Sequence, residues 1–252
     1  MHSNIQTVDA PSPSRRGLIR AAVAGSAAVG SVLTLGSAFP SSAAPVPAAP
    51  GASEAAGRPG TPEEALRRLI AGNRRWRTYR QEHPHESPSV RLQLTRAQHP
   101  FALVLGCVDS RVPPELVFDQ GLGDLLTVRS AGEVLDEAVL GSVAYGVLEL
   151  EIPLVLVLGH QSCGAVGAAV HADETGERLP AHIQYLADQI EPSIDRGQVG
   201  DARIAATIDA HARRTRDRLT AEPDIARRVA AGRLAVVAAR YDLRDQAVRT
   251  LA

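Results

Sequence analysis

The chain has 252 residues, 44% of them hydrophobic and 22% charged, which suits a packed domain and excludes a disordered polymer. Its 27 basic and 28 acidic residues nearly cancel, for a formal net charge of −1, so the positive field that nucleic acid or an anionic membrane calls for is missing. Two cysteines, Cys107 and Cys163, are too few for a disulfide scaffold, although one bridge between them stays open in an oxidising compartment.

Residues 14–20 read Ser-Arg-Arg-Gly-Leu-Ile-Arg, and no charged side chain occurs from Ala21 to Ser53. A basic start, a weakly apolar run from Ala21 to Leu35 and the small residues Ser41, Ser42 and Ala43 predict a secretory signal over 1–43, cleaved after Ala43. Arg15 and Arg16 give it the twin-arginine form, so the protein is expected to be exported and secreted or held at the cell envelope. Gly25, Ser26, Gly30, Ser31 and Thr34 interrupt the run too often for the ~18–20 apolar residues of a spanning helix, and no stable membrane anchor is expected. Residues 44–60, rich in Pro, Ala and Gly, read as a flexible segment. A folded domain is expected over 61–252, a length that one core can hold.

Thr61-Pro62-Glu63-Glu64 is a capping box with proline in the first turn, and the helix it opens should reach Tyr79 on an apolar stripe of Leu66, Leu69, Ile70 and Trp76. After a His/Pro-rich bend at His83–Pro88 come three short apolar runs, 101–105, 125–128 and 153–158, and a fourth, 234–239, ends the series. Their continuous hydrophobicity suits strands buried on both faces of a parallel sheet. Helical patterns fill the gaps at 136–149, 164–172, 181–194 and 201–219, with Gly232 as the stop before the last strand. The alternation predicts an α/β fold, a mostly parallel sheet flanked by helices, with an N-terminal helical arm.

In such sheets ligand-binding residues gather just past the carboxyl ends of strands. Two segments fall there: Cys107-Val108-Asp109-Ser110-Arg111 after the first run and His160-Gln161-Ser162-Cys163 after the third. Two thiols and an imidazole with one position left open are the inventory of a catalytic zinc site, and the i, i+3 spacing of His160 and Cys163 lets both meet one metal as a helix begins. Arg111 offers a planar fork that holds a carboxylate in two places, keeping Asp109 ionised and turned away from the metal.

The stretch C-V-D-S-R-V-P-P-E-L-V-F-D-Q-G-L-G-D, then V-R-S-A-G, then L-G-H-Q-S-C-G-A-V, resembles the β-class carbonic anhydrases, and the likeness runs from the capped helix to L-A-V-V-A-A-R-Y-D-L near the C-terminus. The resemblance implies that Cys107, His160 and Cys163 ligate Zn2+, that Asp109 and Arg111 form the catalytic dyad beside it, and that Asp109 becomes the fourth ligand in a closed state. It implies reversible hydration of CO2 to bicarbonate by zinc-bound hydroxide, and a homodimer or homotetramer in which the N-terminal helix lies over a neighbour. Zinc acidifies its water, but two thiolates cancel the ion's charge, so a mildly alkaline activity optimum is expected.

Other residues have plainer readings. Gln120 is open to bicarbonate binding or to a loop role, Arg129 to bracing the sheet end, His171 to proton shuttling or to simple solvation, and Tyr241 to packing or a dimer contact. Glu133 stands where many relatives carry Asn or another uncharged residue. Val104 stands where one subgroup has the Trp of an inhibitory bicarbonate pocket, so that regulation is not expected. Two alternatives share the motifs: a carbonyl sulfide or carbon disulfide hydrolase on the same scaffold, and a non-catalytic zinc-bearing binding module. Asp109 and Arg111 speak against the second, because a closed structural site needs neither an open position nor a gate.

Overall fold

A computed structural model of the chain describes residues 57–252, so the export signal expected over 1–43 and most of the segment after it lie outside the described residues. Helix α1 (Pro62–Arg77) begins where the capping box places it: the Thr61 hydroxyl accepts from the Glu64 amide at 3.3 Å and the Glu64 carboxylate accepts from the Thr61 amide at 3.3 Å. Ala65 and Leu69 bury its inner face on the chain's own sheet, and Ile70 and, just past the helix, Tyr79 stay exposed. The helix comes close enough that a Cβ at Gly72 would stand 1.7 Å from the Phe118 carbonyl oxygen, so only glycine fits the crossing. Asn73 ties the same helix down, donating to the carbonyls of Val117 and Gln246 and accepting from the Val248 amide.

Strands β1 (Ala102–Cys107), β2 (Leu125–Ser130), β3 (Leu154–His160) and β4 (Ala235–Tyr241) pair in parallel in the order β2-β1-β3-β4, and β5 (Val248–Leu251) adds an antiparallel edge to β4. The central strands β1 and β3 are buried along their whole length, as unbroken apolar runs require. Side chains alternate across the pleat. Ala102, Val104, Leu154, Leu156 and Leu158 meet α1 and the short helix α3 (Pro114–Val117). Leu103, Leu105, Val155 and Val157 meet the other layer, formed by α4 (Glu137–Leu148), α7 (Gly200–Ala221) and α8 (Pro223–Ala230). A third cluster, under α5 (Gly164–Thr175) and α6 (Ile183–Ile190), encloses Cys107 and Cys163 with Val166, Ile190 and Ile208.

The mostly parallel sheet between helices is the architecture expected from the sequence, with three local differences. The helix expected over 181–194 ends at Ile190 and tightens into a 3₁₀ turn, Glu191–Ser193, where Pro192 has no amide to continue the ladder. The strand expected to be last is followed by β5. Pro223 restarts the chain as α8, and Gly232, at φ +66°, provides the left-handed turn into β4. Helix α2 (Pro88–Leu94), capped by the Ser87 hydroxyl, buries nothing. No helix among the described residues is long and apolar enough to cross a membrane.

Candidate metal centre

Strands β1 and β3 are neighbours with Gly106 opposite Leu158, so their carboxyl ends deliver Cys107 and His160 side by side. Ser162, held at φ +56°, turns the chain so that Cys163 arrives at the N-terminus of α5. The two sulfurs and the imidazole nitrogen lie within 4.8 Å of one another, with the sulfurs 3.9 Å apart, and all three residues are buried. Nδ1 of His160 donates to the Gln161 carbonyl at 2.9 Å, which leaves Nε2 carrying the lone pair. That Nε2 has no hydrogen-bond partner among the described residues although the ring is fully buried. An orphaned acceptor facing two thiols inside the protein is the arrangement a cation satisfies, and the S₂N donor set suits zinc.

The thiols titrate as a pair. The Cys163 S–H donated to the Cys107 sulfur lowers the Cys107 pKa, and the Gly132 amide 3.3 Å from Sγ adds to the effect. The same hydrogen bond, followed by burial, raises the Cys163 pKa. A divalent ion held between the two sulfurs would compete with the proton they share.

Beside the cluster, Arg111 grips Asp109 from three directions. Its Nε donates to Oδ1 at 2.9 Å, its terminal nitrogen to Oδ2 at 2.7 Å, and its backbone amide to Oδ1 at 2.9 Å. This holds the Asp109 carboxyl well below the usual range, at about 2, with the Arg111 side chain as the main cause. Asp109 Oδ2 nevertheless stays 3.8 Å from His160 Nε2. The structure thus brings Cys107, Asp109, Arg111, His160 and Cys163 together, with Asp109 in the arginine-paired arrangement rather than turned in.

Arg129 braces the sheet end, donating to the carbonyls of Cys107 at 2.8 Å and Asp109 at 2.7 Å. Gln120 takes the loop role instead of facing the cluster: it donates to the Phe118 carbonyl at 2.8 Å and accepts from Arg68, because the turn after α3 points it under α1. Tyr241 packs within its own chain and accepts from Trp76 at 3.1 Å. His171 is a solvated residue on α5, facing Glu177 at 3.5 Å. Glu133 is fully buried with neither oxygen paired among the described residues, and burial pushes its carboxyl well above the usual range. Sequence reasoning missed His211, buried on α7 behind the cluster; its place at three to four residue intervals between Ile208 and Leu219 was the available signal.

The sequence pattern of the carbonic anhydrase family matches residues 102–248. The chain is 41% identical over 186 residues to carbonic anhydrase 2 of Mycobacterium tuberculosis strain H37Rv and 42% identical over 186 residues to a carbonic anhydrase of Mycolicibacterium smegmatis, covering 73% of this chain and 90% of each relative. Its fold superposes on the β-carbonic anhydrase CcaA with a TM-score of 0.60 at 26% identity, over 73% of this chain and 86% of that one. A chain described among the crystal structures of two tetrameric β-carbonic anhydrases from the filamentous ascomycete Sordaria macrospora shares the fold at TM-score 0.61 and 19% identity, over 74% of this chain and 96% of that one.

Proposed function

The chain belongs to the β-class carbonic anhydrases, and on that premise we propose that it interconverts CO2 and bicarbonate with Zn2+ held by Cys107, His160 and Cys163. The observation that carries this reading is the convergence of three buried donor atoms from two strand ends, with a carboxylate on their open side held back by an arginine. Bound zinc supplies Lewis acidity, bringing the pKa of water toward neutrality.

The chain's own residues set the rest. Asp109 is an anion at every physiological pH, and Arg111 fixes its aim, so Oδ2 presents a permanent hydrogen-bond acceptor toward the cluster. A carboxylate held near 2 keeps no proton at neutral pH; Asp109 orients a donor and passes its proton on to solvent. Arg129 fixes the backbone on which Cys107 and Asp109 sit, because it holds both their carbonyls.

Assembly is part of the same reading. Strand β2 is one open edge of the sheet, its six residues half-buried, and Leu116 and Leu122, shortly before it in the chain, are exposed. A second copy would cover such an edge, which is otherwise a liability. Sedimentation should therefore show a dimer or tetramer. Export through the twin-arginine route follows from Arg15 and Arg16; a paired Lys substitution should leave the protein inside the cell.

The test of function combines metal analysis with stopped-flow CO2 hydration on the wild type and Asp109→Asn, and a parallel assay with carbonyl sulfide. One zinc per chain with CO2 hydration dominant supports the reading. Zinc-free folded protein, or faster turnover of carbonyl sulfide, overturns it.

A further inference from the structure

Behind the cluster, a directed series of hydrogen bonds runs from α7 to a ligand sulfur. His211 is buried, 2% exposed, and its Nε2 lies 2.8 Å from the Gly132 carbonyl oxygen, which can only accept. Nε2 therefore carries the hydrogen, and Nδ1 accepts from the Ser193 hydroxyl at 3.2 Å. Gly132, so tethered, donates its own amide to Cys107 Sγ at 3.3 Å. Burial lowers the His211 pKa to about 4, which keeps the ring in this neutral form at physiological pH.

The segment that His211 holds does not take its shape for nothing. Gly132 and Glu133 both adopt left-handed backbone, at φ +63° and +42°, and a Cβ at Gly132 would meet Ala165 and Ile190 at 3.0 Å. Two successive residues in that region cost free energy unless their surroundings hold them there. The bond from His211 holds the carbonyl of Gly132, and so the residue whose N–H points at the sulfur.

We infer that His211 is a positioning residue for the metal centre: by holding Gly132 it aims a backbone N–H at Cys107 Sγ, which fixes that ligand and draws electron density from it. This rests on the zinc reading above and extends it to a residue some distance along α7. An N–H···S bond makes a thiolate a weaker donor, so a series ending there favours a more acidic metal than two free thiolates would allow.

The experiment compares wild type with His211→Phe, which keeps a flat ring without donors, and His211→Gln, which retains an N–H near the position of Nε2. Zinc affinity is measured by chelator competition, and the thiolate-to-metal charge-transfer band is recorded on cobalt(II)-loaded protein. His211→Phe should weaken zinc about tenfold, the lower end of the effect of removing an outer partner of a metal ligand, and move the band to lower energy. His211→Gln should stay within about threefold of wild type. Equal affinity and an unmoved band in folded His211→Phe overturn the inference. Should His211→Phe not fold, Ser193→Ala serves, with weaker zinc binding expected and unchanged binding overturning. Wild type that binds no zinc would instead overturn the underlying functional reading, so the two failures are separable.

Discussion

Replacing Arg111 by Ala separates the charge of Asp109 from its aim. Two of the three N–H groups on that carboxylate, Nε at 2.9 Å and the terminal nitrogen at 2.7 Å, leave with the side chain, and only the backbone amide at 2.9 Å remains. The carboxyl should climb from about 2 toward the ordinary value, near 3.9 for Asp. That is still far below neutrality, so Asp109 remains an anion throughout the working range. What is lost is orientation: Oδ2 already lies 3.8 Å from His160 Nε2, and an untethered carboxylate is free to turn into the open side of the ligand cluster. A correctly placed acid or base contributes roughly 10²–10⁴-fold, so kcat/KM should fall by about 100-fold or more. Because the charge persists, the loss should be nearly uniform across the neutral and alkaline range. Arg111→Lys keeps a cation but not the planar fork, and should fall between the two. Stopped-flow CO2 hydration measures this, with zinc content determined on each sample. Arg111→Ala retaining half the wild-type kcat/KM at full zinc occupancy would refute the reasoning, as would a loss confined to acid pH.

Glu133 is fully buried and unpaired, and its carboxyl ionises above the usual range, so between the unfolded and folded pKa values the native state binds more protons and stability falls as pH rises. Glu133→Gln should thus stabilise the fold by at least about 1 kcal/mol at neutral pH and by nothing below about pH 4; denaturant melts at both pH values check it, and a pH-independent difference contradicts it. Asn73→Ala strands two carbonyls and one amide that meet it at 3.1, 2.9 and 2.9 Å, at a cost of about 3 kcal/mol or more. The corresponding drop is roughly 6–12 °C in melting temperature by calorimetry, and a drop of under a degree would mean that water replaces the side chain. Metal-stripped protein exposed to air should close a Cys107–Cys163 disulfide, since 3.9 Å between sulfurs needs only a side-chain adjustment to reach about 2.05 Å. Alkylation without reduction, read by mass spectrometry, detects it, and two alkylated thiols after prolonged exposure would speak against it.

The parallel sheet was legible because β1 and β3 are apolar without interruption, a pattern dictated by burial on both faces. The candidate ligands Cys107, His160 and Cys163 were legible because each sits within a few residues of a strand end. Short or exposed elements left no trace: α2 has no buried residue, and α3 is one turn introduced by Pro113 and Pro114. Strand β5 carries Arg249 and Thr250 on an edge that packing does not enforce. Helix α8 lies beyond the helical pattern expected to end at 219, since Pro223 starts a helix there as readily as it ends one. The roles of Asn73, Glu133 and His211 depend on partners between 18 and 175 residues away, or on their absence among the described residues, and no local pattern encodes those.

The adjacency of β1 and β3 also bears on how the protein is loaded. Cys107 and His160 are set side by side by strand pairing, and Cys163 is delivered by the turn into α5, so the donors owe their placement to the core and not to an ion. Loading then resembles filling a socket rather than nucleating a fold, and the emptied protein should keep its native amide-exchange protection in both central strands.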